Sequence, residues 1–249
     1  MPDFTYFVSG KVYARIYGTT DQFEWPGLVD TVTLAVSQNI IQLPDTTQAG
    51  GGVYKEIRRI ESVALTLNHR ELDPMTLARA IYGAQTAVAA GAIVDEEYTI
   101  QLGQFIPLVH PGPYTLVTVT DDAATPVTIS ADQYVMSGAG ITINADATEL
   151  INDDVIRVSY THPGYNRVQA LTSSPPELEI FFEGINEANG DQPAPTRIHR
   201  VRFGPAEDLQ LLSTDDFGAL SLSGEVLKDL TKTGAGISQY FYTDVVPAA

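Results

Sequence analysis

The chain has 249 residues and carries 14 Lys and Arg against 31 Asp and Glu, which gives a formal charge of −17. We do not expect so acidic a chain to grip nucleic-acid phosphates over a broad surface or to dock on anionic lipid. It has no cysteine, which excludes disulfides and thiolate metal sites, and its 44% hydrophobic content is typical of a globular protein. This length predicts a single large domain, 1–249.

No segment is expected to direct the chain to a membrane or a secretory route. Asp3 stands near the N-terminus, where a secretory signal carries Lys or Arg. The most apolar stretch, 77–94, contains Arg79 and is too polar to span a bilayer. We therefore expect a cytosolic origin and no membrane binding by this chain.

Alternation of apolar and small polar residues predicts strands over most of the chain. It is clearest at 11–17, 31–37 and 63–68. Asn189, Gly190 and Asp191 predict the tip of a hairpin between 178–186 and 197–203. Further strands are predicted at 98–102, 115–120, 126–130, 133–136, 141–144, 155–160, 167–172, 208–213, 219–227 and 238–244. The fold class is therefore mainly β, a sandwich or barrel.

One helix is predicted at about 73–83. Asp73 is a good N-cap residue, and Pro74 suits the first helical position because it has no N–H to leave unpaired. Gly83 is suited to the position just past the helix, although the alanine-rich sequence up to Ala90 could prolong it. We expect this helix to pack against an open side of the β-structure.

A long loop is predicted at 44–52, between two good strands. It ends in three consecutive glycines and is too long for a tight hairpin turn. A second loop is predicted at 187–196. Loops of this kind are either flexible connections or segments that become ordered when a neighbouring molecule arrives.

The acidic residues are unevenly distributed along the chain. No Lys or Arg lies between Arg79 and Arg157, and that stretch holds ten acids: Asp95, Glu96, Glu97, Asp121, Asp122, Asp132, Asp146, Glu149, Asp153 and Asp154. This block, 95–154, is either a solvated surface that keeps the protein soluble or a surface that repels a polyanion.

Two short stretches resemble each other. The segment 109–114 reads Val-His-Pro-Gly-Pro-Tyr, and 161–165 reads Thr-His-Pro-Gly-Tyr. The similarity is either a coincidence between two Pro-Gly turns or a sign that about 98–170 forms a β-elaboration on a core made by both ends of the chain.

No pattern predicts catalysis, a metal site or a cofactor. The four histidines are scattered, and none has a second histidine four residues away. The acid pairs at 121–122, 153–154 and 215–216 lie beside turn-like sequences. Neighbouring side chains on a strand point to opposite faces, so these pairs cannot converge on one bond unless a bulge re-aims them. We expect a protein that is not an enzyme.

Four stretches together resemble the major tail tube proteins of long-tailed bacteriophages, especially the non-contractile, siphovirus-type kind. They are the strand-to-helix segment Ile60–Leu67 with Leu77–Gly83; the strands Asp132–Val135, Ile141–Ile143 and Asp154–Tyr160; the segment Leu178–Asn186; and the segment Leu220–Asp229. The similarity lies in the order of elements and covers most of the chain from about 55 to 245.

The resemblance implies a virion protein, present in the host cytoplasm before assembly. Such proteins form six-membered rings that stack into a tube, where four strands per subunit join into a barrel around the lumen through which viral double-stranded DNA passes. The strand candidates are 11–17, 29–37, 57–68 and 219–227. The implied partners are further copies and other tail proteins: the tape measure, the terminator and the distal tail protein.

The polar faces of these strands supply the candidates for the lumen: Thr31, Thr33, Ser37, Ser62, Thr66, Asn68, Ser221, Ser223 and Glu225. The loop at 44–52 supplies the candidates for contact between rings: Asp45, Thr46, Thr47, Gln48, Ala49, Gly50, Gly51 and Gly52. If part of the acid excess faces the lumen, repulsion between like charges would keep DNA from sticking.

Three other functions stay open on the sequence. One is a related ring or tube protein, such as a tail terminator or the tube of a contractile tail or secretion system. The second is a β-sandwich module that binds glycans, and the third is a hydrolase that uses an acid pair. The single tryptophan, Trp25, gives little support to a glycan-binding face.

Overall fold

The structure, a computed structural model, describes residues 5, 7–47, 50–206, 208–214 and 217–246. Half of the chain is strand and 5% is helix, which confirms a mainly β protein. The strands are β1 Val8–Ile16, β2 Val29–Pro44, β3 Val53–His69, β4 Ala84–Val88, β5 Gly91–Thr99, β6 Phe105–Pro107, β7 Thr115–Asp121, β8 Tyr134–Met136, β9 Gly140–Ile143, β10 Val155–His162, β11 Tyr165–Gln169, β12 Leu178–Asn186, β13 Gln192–Pro193, β14 Thr196–Phe203, β15 Leu220–Val226 and β16 Phe241–Thr243.

The α-helix, α1, spans Pro74–Ala80, and short 3-10 turns lie at Ala131–Gln133 and Glu187–Asn189. In the part of the chain that the structure describes, we find no helix with the length and apolarity needed to cross a membrane.

The chain forms two compact units. The first unit combines Met1–Gln85 with Val168–Ala249, and the second unit is Thr86–Arg167. The second unit covers most of the range 98–170 that the sequence suggests as an elaboration. The strands β4 and β11, in which the chain passes between the units, pair with each other.

The first unit is built on one large antiparallel sheet. Its strands are ordered β1-β12-β14-β15-β3-β2, with β13 and β16 added beside β12 and β14. The alternation in β3 buries Val63, Leu65 and Leu67, which pack with Leu220 and Leu222 of β15 in one core. The period of two therefore puts the apolar residues of these strands on one face, as the sequence predicts.

The predicted helix is present but shorter than expected. The Asp73 side chain accepts a hydrogen bond from the Thr76 N–H at 2.5 Å, so the predicted cap is confirmed. The helix ends at Ala80 rather than near Gly83, because Tyr82 adopts a positive φ of 52° that leaves the helical conformation. The alanine-rich sequence that follows does not prolong the helix, because it forms β4.

The second unit contains two three-stranded sheets, β5-β10-β7 and β6-β9-β8. Its core is a separate cluster of buried side chains that includes Ile100, Ile141, Ile143 and Ile156. Two predicted strands are wrong. The segment 126–130 makes only a single bridge, between Thr120 and Thr128, and 208–213 is irregular.

The longest feature is the hairpin of β2 and β3, which pair from Val29 and His69 to Pro44 and Val53. The register shifts once in the middle of this hairpin. Ser37 pairs with Ser62, but the next residue on β2, Gln38, pairs with Ile60, so Glu61 is an extra residue on β3. Such a bulge bends a strand and changes its twist.

Candidate assembly surface

The outer face of β2, β3 and β15 forms one surface, here termed the small-polar face. It brings together all nine residues that the sequence singles out as lumen candidates. The strand register places them side by side in rows: Thr31 beside Asn68 and Ser221, Thr33 beside Thr66 and Ser223, and Ser37 beside Ser62, with Glu225 opposite Ala64. The strand predicted at 11–17 does not join them, because β1 lies at the opposite edge of the sheet.

Strict alternation creates this face. In β15, Leu220, Leu222 and Val226 are buried, while Ser221 and Ser223 are exposed. The side chains of this face are mostly small, and two of them bond to each other across neighbouring strands. The Ser37 and Ser62 hydroxyl oxygens lie 2.8 Å apart, as a hydrogen-bonded pair across two strands.

A broad, open groove of about 1030 Å³ runs over this face. The two arginines that line it each have an acidic neighbour. Arg70 Nε lies 2.6 Å from a carboxylate oxygen of Asp30, and Arg202 is paired in register with Glu225. The groove therefore presents no excess of positive charge to a polyanion.

The edge strand β2 has little protection against pairing with another chain. It runs for 16 residues at the end of the sheet, and among the described residues it pairs only with β3. Natural edge strands are kept from pairing with other chains by lysines, prolines or short length. Between Val29 and Leu43 this strand has no Lys, Arg or Pro. The opposite edge, β1, carries Lys11 and Arg15.

The outer part of the β2–β3 hairpin, from Val36 to Ile60, is here termed the arm. The described side chains of the arm are mostly exposed. Several large apolar side chains are about half exposed: Val36, Ile40, Ile41, Leu43, Val53, Ile57 and Ile60. Exposed apolar residues in such a cluster are typical of a surface that binds another protein.

The tip of the arm holds the residues predicted to contact a neighbouring ring. The Asp45 carboxylate accepts hydrogen bonds from the Thr47 N–H at 2.8 Å and from the Thr47 hydroxyl at 2.5 Å, and these bonds lower the pKa of Asp45. Thr46, Gly50, Gly51 and Gly52 complete the described tip, whereas Gln48 and Ala49 lie outside the described residues. The predicted role of this loop stays a prediction.

The acidic block lies entirely in the second unit, because 95–154 falls within Thr86–Arg167. None of its ten acids belongs to the small-polar face. The acid pairs have the turn chemistry that the sequence predicts. Asp121 accepts from the Val127 N–H at 2.7 Å, and Asp154 accepts from the Ile151 N–H at 2.8 Å. The pair at 215–216 lies outside the described residues.

Two of the four histidines lie together, although all four are scattered along the sequence. The rings of His110 and His162 stack in the second unit with their centroids 4.0 Å apart. The similarity of their two His-Pro-Gly sequences was the feature that could have predicted this contact. Within the described part of the chain, no three His, Cys, Asp or Glu side chains are grouped so that they could hold a metal ion.

Residues 5–244 match the profile of a family described as protein of unknown function UCP028589. The chain belongs to this family. No curated protein matches the chain. The family description assigns no activity, so the surfaces described above carry the functional argument.

Proposed function

We propose that this chain is a structural subunit that assembles with copies of itself into rings and stacked tubes, as the major tail tube proteins of long-tailed phages do. The observation that carries the proposal is the unprotected edge strand β2, with its half-exposed apolar arm. A soluble protein that left 16 residues of open strand edge unprotected would aggregate, unless that edge had a specific partner.

The two unlike edge strands of the sheet explain why rings are the proposed form. The strands β1 and β2 differ in length and charge, and they lie at opposite ends of the same sheet. A contact between unlike edges is head-to-tail, and repeating it closes a ring when the rotation per subunit allows closure. The arm would then reach a neighbouring subunit, which buries its apolar side chains.

In this proposal the small-polar face lines the lumen, and the tube conducts viral double-stranded DNA without binding it specifically. Affinity for DNA grows with each phosphate that a lysine or arginine neutralises. On this face Arg70 and Arg202 are each matched by an acid, and the remaining residues are mostly small and uncharged. DNA would slide because nothing attracts it strongly, and the acidic block is not needed for that property.

The proposed role is structural rather than catalytic, and the contacts with the tape measure, terminator and distal tail proteins belong to the same proposal. The test is sizing chromatography of the full chain at increasing concentration, followed by negative-stain electron microscopy. Rings or tubes of uniform diameter support the proposal. A chain that stays monomeric up to its solubility limit contradicts it.

A pair of variants tests the role of the arm. The double variant Ile40→Lys with Ile41→Lys removes two half-exposed apolar side chains and adds two charges, and we expect it to fold but not to assemble. The control is Asn39→Ser, which changes a polar side chain of the same exposed strand but adds no charge and removes no apolar surface. Circular dichroism checks that both variants are folded. Normal assembly of the double variant would rule out the arm as the contact.

A further inference from the structure

The stacked histidines join two turns of the second unit. His110 lies in the turn that precedes β7, and His162 ends β10. Their rings are almost parallel, at 7°, and their centroids are 4.0 Å apart. His162 is 4% exposed and His110 is half-buried. Two imidazoles in this arrangement pack well while neutral, but two imidazolium ions would place like charges face to face.

The hydrogen bonds define which atoms hold protons. His162 Nδ1 lies 2.9 Å from the carbonyl oxygen of Pro163, which only accepts, so this nitrogen carries a proton. His110 Nδ1 lies 3.0 Å from the Tyr165 hydroxyl oxygen. The Tyr114 hydroxyl donates to the His110 carbonyl at 2.8 Å, which ties the turn to its own loop.

The other titratable and charged groups around the pair come from three strands. On β11, Arg167 Nη2 donates to the Tyr165 hydroxyl at 2.8 Å. Since the same hydroxyl contacts His110, Tyr165 is the one residue between the pair and a fixed positive charge. On β10, Tyr160 donates at 2.8 Å to the Glu96 carboxylate of β5, and Tyr98 lies on that same strand. The Glu96 carboxylate is therefore already bonded to a phenol.

We propose that this pair is an acid-sensitive latch, which holds the two His-Pro-Gly turns together at neutral pH and lets them separate when both imidazoles are protonated. The physical reason is electrostatic. Burial, the neighbouring imidazole and Arg167 all lower the pKa of His110. Two imidazolium rings with centroids 4.0 Å apart would repel each other, which favours separation of the two turns.

The direction of the pH effect follows from this depressed pKa. An unfolded or opened histidine titrates near pH 6.5. Because the closed pair binds protons less well than the open one, the stabilisation is fully present above about pH 6.5 and is lost as the pH falls below that value. The latch would therefore be closed in cytoplasm and loosened in mildly acidic surroundings.

The first test is hydrogen exchange of the full chain, followed by mass spectrometry, at pH 7.5 and pH 5 with correction for intrinsic exchange rates. We expect the segments 108–114 and 161–167 to open about tenfold more often at the lower pH, because two stacked imidazolium ions repel each other. His110→Phe keeps a stacked ring but cannot be charged, so it should reduce this change to less than about twofold. Val127→Ala is the control, because it changes an exposed side chain of the same unit, keeps both imidazoles and should keep the pH response.

The second test needs no variant that could fail to fold. Proton NMR of the wild-type chain follows the ring signals of the histidines through a pH titration. A His110 transition below about pH 6.5 supports the latch, because burial, the stacked imidazole and Arg167 oppose its protonation. It is overturned if His110 titrates at or above about pH 6.5, or if His110→Phe opens with the same pH dependence as the wild type.

Discussion

The side chain of Glu179 bonds to two arginines. Removing its charge should lower the free energy of unfolding by an amount that its burial allows us to estimate. Arg15 Nε donates to one carboxylate oxygen at 2.7 Å, and Arg197 Nε donates to the other at 2.6 Å. The Glu179 side chain is only 9% exposed, whereas those of Arg15 and Arg197 are 20% and 31% exposed. The substitution Glu179→Gln leaves two guanidinium groups with no anion between them.

The magnitude follows from this burial. Removing one partner from a fully buried ion pair costs about 3–5 kcal/mol. Because both arginines keep some contact with water, we expect about 2–3 kcal/mol, or roughly 30- to 150-fold in the unfolding equilibrium. Urea denaturation measures it, and the fluorescence of Trp25, the single tryptophan, reports on the first unit.

The matched control is Glu177→Gln. Glu177 pairs with Arg200 at 2.7 Å, and both side chains are more exposed, at 27% and 30%. An exposed pair of this kind contributes at most about 1 kcal/mol. If Glu179→Gln lowers the free energy of unfolding no more than Glu177→Gln does, then the Glu179 carboxylate does not hold β12 to β1 and β14.

Three further predictions use other parts of the chain. The hydrogen bond from its arginine lowers the pKa of Glu177, so the stability that this pair provides is present above about pH 4.3 and is lost as the pH falls further; Glu177→Gln should flatten that part of an acid-denaturation curve. Gly140→Ala should unfold the second unit, seen as rapid proteolysis of 86–167, because the new Cβ would lie 2.1 Å from the carbonyl oxygen of Ile106. Leu65→Ala should cost about 2–5 kcal/mol in urea denaturation because Leu65 is fully buried, whereas Leu211→Ala, at an 88% exposed residue, should change stability by less than about 0.5 kcal/mol.

The sequence was sufficient for features that depend on local pattern. The period-two alternation in 63–68 and 219–227 predicts both which residues are buried and which share the small-polar face, because a strand leaves no other choice once one side is core. The helix start was also predictable, since Asp73 and Pro74 act through bonds within the first turn.

Features that depend on distant parts of the chain were not predictable. The alternation of 11–17 matches that of the other three strands, but nothing local indicates that β12 and β14 separate β1 from β15. The helix end was misplaced because Tyr82, and not Gly83, takes the positive φ. The stacking of His110 on His162 requires residues 52 positions apart to meet, and the repeated His-Pro-Gly sequence was the single hint of it.

The extra residue at Glu61 has a consequence for how this protein can vary. The extra residue shifts the alternation of β3. The alternation that assigns the arm side chains to either face is therefore separate from the alternation in the sheet. The hairpin can therefore be lengthened or shortened by matched residues on β2 and β3, about 3.4 Å per pair, without turning a single core leucine outward. Related chains could set a different reach between neighbouring molecules by this change alone and keep the same interior.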